Sequence, residues 1–70
     1  MTPTEIITKA RDRLEAATSK ASMEVAQDIG LGAIGALLDL ELVSVHEWRA
    51  AIDELDAMAE QIRVDLGGAQ

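Results

Sequence analysis

"GLGAIG", residues 30–35, has the spacing G-x-G-x-x-G. That spacing cradles a dinucleotide phosphate when it follows a strand, opens a helix within a βαβ unit and has an acidic residue about 20 positions on. The residues before it point elsewhere. "MEVAQDI", residues 23–29, holds Glu24, Gln27 and Asp28 at three- and four-residue steps, the period of a helix. On a helical wheel, residues 25–42 are apolar almost all round. Val25, Ile29, Ala36 and Leu40 share one side, Ala26, Ala33 and Leu37 the next, and Leu31, Ile34, Leu38 and Leu42 follow, while Asp28 and Asp39 occupy a narrow polar wedge. A helix apolar on most sides is a central element covered by several neighbours. The three glycines therefore lie inside a helix, where each costs roughly 0.5–1 kcal/mol against alanine. Close approach of another backbone can offset that cost. Ala26 with Gly30, and Gly32 with Ala36, are small residues four apart, the spacing that lets two helices pack at short distance. Gly30, Gly32, Gly35, Ala26 and Ala36 are accordingly expected to mark a helix contact, and no cofactor is expected at this motif.

The flanking segments carry their own punctuation. Thr2-Pro3-Thr4-Glu5 reads as a helix start, with Thr2 as N-cap, proline at the first helical position and Glu5 closing a capping box. Behind it Ile7, Ala10, Leu14, Ala17 and Ala21 recur on one helical face, and Glu5 with Lys9 and Arg11 with Glu15 stand at ion-pair spacing. A first helix over about 3–20 follows, then a second over about 23–42. Ser19 or Ser22 could cap the second, but no proline or glycine forces a break, so the spacing leaves open whether the two are continuous. Ser44-Val45-His46-Glu47 is a second capping box, with Val43 and Trp48 placed to staple across it. A third helix over about 45–66 then carries Val45, Trp48, Ile52, Leu55, Ala59, Ile62 and Leu66 in an a/d heptad, and Gly67-Gly68 supplies a left-handed stop. The fold expected is all-α, one domain over residues 1–70, a helical hairpin or three-helix arrangement completed by homo-oligomerisation into a bundle. Trp48, Ile52, Leu55 and Ile62 are its expected helix-contact residues.

Size favours that completion. A chain of 70 residues hides only about 60% of the surface its unfolded form exposes, so a solitary monomer is marginal. It has no cysteine to compensate with a disulfide or thiolate zinc site. No basic-then-apolar leader opens the chain and no apolar run reaches the roughly 18 residues of a membrane span, so a cytoplasmic protein is expected.

The net charge is −7 and unevenly placed. Residues 1–20 hold Lys9, Arg11, Arg13 and Lys20 against Glu5, Asp12 and Glu15, whereas residues 21–70 hold ten acids against Arg49 and Arg63. Phosphate backbones repel such a surface, which argues against nucleic acid as partner. A protein with a basic face suits it instead. Asp53, Asp56 and Glu60 form an acidic stripe on the third helix, read either as a solvated face or as a docking surface for a basic partner or for the Lys9, Arg13 and Lys20 side of another subunit.

Little here suggests catalysis. His46 is the only histidine, with no second histidine or cysteine to build a metal set, and Ser44 is already explained by its cap. No catalytic, metal-binding or cofactor-binding residue is assigned.

The stretch "GALLDLELVSVHEWRAAIDELDAMAEQI" resembles in style the helix-turn-helix ends of very short, acidic, alanine-rich proteins encoded by bacteriophages and prophages. The resemblance covers about the last half of the chain. It implies action by binding: blocking host defence, transcription or quorum-sensing proteins, or sequestering a small signal within an oligomer. The leading expectation is a non-enzymatic interaction module, an oligomeric inhibitor or regulator of a host protein, in the host cytoplasm if phage-encoded. Two rivals remain: an oligomer holding a small ligand such as a nucleotide at a glycine-lined interface, and a structural piece of a larger assembly.

Overall fold

A computed structural model describes residues 1–67 of the chain. Its elements are three helices, α1 (Pro3–Glu15), α2 (Lys20–Asp39) and α3 (Val45–Gly67), with no strand among the described residues. Both ends of the α1 reading depend on local chemistry. The Thr2 hydroxyl accepts from the Glu5 N–H at 3.2 Å while the Glu5 carboxylate accepts from the Thr2 N–H at 3.2 Å, so the expected capping box is present. The helix then stops at Glu15, five residues short of the expected end, and α2 begins at Lys20 and not at residue 23. Ser19 is the N-cap of α2, its hydroxyl accepting from the Ser22 N–H at 3.1 Å. Ser22 in turn accepts from the Thr18 and Ser19 N–H groups at 3.2 and 3.0 Å. The hydroxyls of Ser19 and Ser22 thus divert the backbone from helical hydrogen bonding without glycine or proline. The two helices are separate.

The far end of α2 is corrected too. It closes at Asp39, not residue 42, in a Schellman arrangement: the Leu42 N–H donates to the Leu37 carbonyl at 2.9 Å and the Glu41 N–H to that of Leu38 at 3.0 Å. Glu41 takes the left-handed position, φ 59°, usually held by glycine. Ser44 then caps α3, its hydroxyl accepting from the Glu47 N–H at 3.0 Å and its own N–H donating to the Glu47 carboxylate at 2.9 Å. α3 runs through Gly67, which is helical and has no positive φ, so the expected left-handed stop is not formed there, and Gly68, its second member, lies outside the described residues.

Connections of four and five residues make α1–α2 and α2–α3 antiparallel neighbours. The described chain measures 43 × 20 × 14 Å. Ala10 and Leu14 from α1, Met23, Ala26, Ile34 and Leu37 from α2, and Ala51, Leu55 and Ala59 from α3 are buried. The buried α3 positions are four apart and include Ala51, which the heptad reading omitted, while its outer members Val45 and Leu66 are exposed. The three-helix chain thus wraps α3 along its middle, with Trp48, Ile52 and Ile62 half-buried against the core. Neither expected ion pair within α1 forms; Arg11 reaches across to Glu54 of α3 at 3.0 Å. The second described pair joins Arg63 to Glu60 at 2.6 Å.

Candidate interaction surface

α2 is the element whose sequence and surroundings disagree. Its apolar character is nearly all-round, yet the chain fully buries only the stripe formed by Met23, Ala26, Gly30, Ile34 and Leu37 and half-covers Leu31, Ala33 and Leu38 beside it. The opposite side is left to solvent, with Val25 58%, Ile29 48% and Leu40 68% exposed, and Gly32 and Ala36 exposed between them. Leu42, 55% exposed, and Met1 extend the patch at the end of α2. These residues stand at three- and four-residue steps along α2, so they form one continuous stripe. A stripe of this kind on a small protein marks an interaction surface more often than a solvated face.

The glycines divide accordingly. Gly30 is buried where α1, α2 and α3 meet: a Cβ added there would stand 2.8 Å from Leu55 Cδ2 and 3.2 Å from Ala10 Cβ. It is a true close-approach glycine, and Ala26 beside it is buried in the same stripe. Gly32 and Gly35 are different. A Cβ on either meets nothing within 4 Å, so neither serves a helix contact inside the chain. Ala36 is exposed next to Gly32 on the outer stripe. The four-apart pairs therefore point in opposite directions, Ala26 and Gly30 inward, Gly32 and Ala36 outward. A wheel places them on different sides, but composition alone leaves both sides greasy and so hides which one the chain covers.

A groove of about 380 Å³ runs beside the outer stripe between α1 and α2. Ile6, Ala33, Ala36, Leu37, Leu40 and Leu42 give it an apolar lining, and Lys9 and Arg13 stand on its α1 side. These two cations are four apart, on one helical face. Neither is in an ion pair among the described residues, in contrast to Arg11 and Arg63. The signal for them in the sequence is the recurrence of Ile6, Lys9 and Arg13 at helical steps, on the side of α1 away from Arg11.

On α3 the acidic stripe is exposed as placed by the sequence, but two of its members are engaged. Asp56 accepts from the Gln27 side-chain amide at 3.1 Å, and Glu60 holds Arg63. Asp53 points outward with neither kind of contact among the described residues. Trp48 is half-buried against the core, and the Arg49 guanidinium lies 5.9 Å from its ring centroid. His46 is exposed in the first turn of α3. Beside it the Glu47 carboxyl is held below the usual carboxylate range, first by the Ser44 N–H, then by the Ser44 hydroxyl, with His46 adding a smaller attraction. Among the described residues no three His, Cys, Asp or Glu side chains cluster as a metal set, and no helix is long and apolar enough to cross a membrane.

Compared with models of known protein families, with curated proteins and with solved structures, the chain matches none.

Proposed function

We propose that this chain is a non-enzymatic interaction module that self-associates through the outer stripe of α2 and regulates or inhibits a partner protein by presenting the acidic face of α3. The single observation behind this reading is the uncovered stripe of Val25, Ile29, Ala36 and Leu40. Burying a side chain of this type is worth about 1.5–3 kcal/mol, so pairing the stripe adds to a core otherwise built largely from alanine, leucine and methionine. The pairing leaves Asp53, Asp56 and Glu60 outside, where a basic partner can meet Asp53 directly and exchange for the weak surface bonds that Asp56 and Glu60 now make. A phage-encoded inhibitor acting in a host cytoplasm is the biological form the resemblance suggests.

Sedimentation of the intact chain at micromolar concentration tests the first half. At least twice the 7.5 kDa chain mass is expected, and a monomer at every concentration would sink it. The second half is tested by capture from a bacterial lysate with the wild type and with a variant in which Asp53, Asp56 and Glu60 are replaced by Asn, Asn and Gln. Loss of the captured protein in the variant is expected. A second reading, sequestration of a small anionic ligand, is favoured by the apolar groove with Lys9 and Arg13 on its side; a ligand-dependent rise in melting temperature on adding nucleotides would support it.

A further inference from the structure

Resting on that self-association, we infer that the occupant of the α2 stripe is a second copy of this chain in a parallel two-fold arrangement, in which Asp28 of the second copy sits between Lys9 and Arg13. The apolar stripe has unlike flanks. On its α1 side stand Lys9 and Arg13, lining the groove. On its other side stand the exposed Asp28 and Asp39. Two copies that face each other through one stripe can be related by only two kinds of two-fold axis. An axis perpendicular to α2 makes the helices antiparallel and sets each flank against its own kind, cation beside cation and carboxylate beside carboxylate. An axis parallel to α2 makes the helices parallel and sets each basic flank against the acidic flank of the other copy. Charge chooses the second, because like charges brought together at an interface are costly and opposite ones guide docking.

The register agrees. Ala10 and Gly30 lie at the same level, as the close approach of their Cβ positions requires. Counting about 1.5 Å per residue along each helix, Asp28 lies about 3 Å from that level toward the start of α2. Because α1 runs the opposite way, Arg13 lies about 4.5 Å from it in the same direction and Lys9 about 1.5 Å beyond it in the other. In a parallel pair without axial shift, the second copy's Asp28 falls between the two cations. The stripe is also shaped for the contact: Gly32 and Ala36, small and four apart, let the two α2 backbones approach, which gives Gly32 the role it lacks within one chain. At the end of α2 the exposed Leu40 and Leu42 of both copies gather on the same side of the assembly.

The chain has no cysteine, so single cysteines report orientation cleanly. Ile29→Cys and Ala36→Cys should each form disulfide-linked dimers alone, since parallel copies bring like positions together. An antiparallel pair instead crosslinks only when the two variants are mixed, joining 29 to 36, and that result overturns the proposal while leaving self-association intact. A chain monomeric at every concentration overturns both. Charge reversal supplies an independent arm, with helix content checked by circular dichroism. Lys9→Glu with Arg13→Glu should weaken dimerisation by about tenfold or more, and adding Asp28→Lys should recover most of that loss. Absence of recovery in the triple variant counts against the contact.

Discussion

At Gly30 an added methyl would stand 2.8 Å from the end of the fully buried Leu55 side chain and 3.2 Å from Ala10, which has no rotamer to yield. Overpacking of this kind costs about 1–3 kcal/mol, against a gain of about 1 kcal/mol in helix propensity. Gly30→Ala is therefore expected to destabilise the chain by about 1 kcal/mol, whereas Gly32→Ala, with open space around it, should stabilise the dilute monomer by roughly 0.5–1 kcal/mol. Urea unfolding of both variants below the association range checks the opposite signs. The glycines of 30–35 were legible as helical, although Gly30 alone of the three makes the expected contact within the chain. Which of them faces inward was not, because that depends on which side of a greasy helix α1 and α3 cover. Glu47 carries a pH dependence. Its folded-state pKa is lowered, so the stabilisation it gives through Ser44 is present above the ordinary glutamate range, about 4.3, and is lost as pH falls through the lower folded value. The stability difference between wild type and Glu47→Gln should thus be largest near neutrality and shrink on acidification, followed by thermal melts across that range.

For single elements, helix starts in this chain carry a plainer sequence signature than helix ends. The Thr2 and Ser44 caps follow the Ser/Thr-x-x-Glu pattern and stand where the sequence placed them. The Ser19 cap uses Ser22 in place of glutamate, and the end of α2 uses Glu41 in place of glycine, so neither carries its usual signature. That substitution of chemistry explains why the pattern runs α1 too long and displaces α2 by three residues at each end. Both sites are open to test. A left-handed backbone costs a non-glycine residue about 1–2 kcal/mol; relief of that strain, partly offset by the larger unfolded-state freedom of glycine, should make Glu41→Gly stabilising by about 0.5–1 kcal/mol. Ser19→Ala should cost about 1 kcal/mol through the lost cap. Denaturant midpoints of the two variants should move in opposite directions. On α3 the heptad gave the correct middle, Leu55 and Ala59, but it spread contact too far. α1 and α2 are shorter than α3 and leave its outer turns, Val45 and Leu66, to solvent.

For the whole molecule, the all-α class was legible in apolar periodicities of helical step, but the helix count was not: the spacing leaves a hairpin and a three-helix arrangement open, and the Ser19 cap decides for three. The groove was not, since it arises from the angle between α1 and α2 and no local pattern encodes it. Trp48 is the only Trp, Tyr or Phe of the chain, half-buried where α3 packs against the core and outside the lining of the groove beside the α2 stripe. All near-ultraviolet emission therefore comes from a single ring whose surroundings are set by the seating of α3. Dilution that parts two copies should leave the emission maximum in place while the sedimenting mass falls, and urea should shift the maximum once α3 leaves the core. Folding and assembly in this chain consequently have separate optical and hydrodynamic signatures.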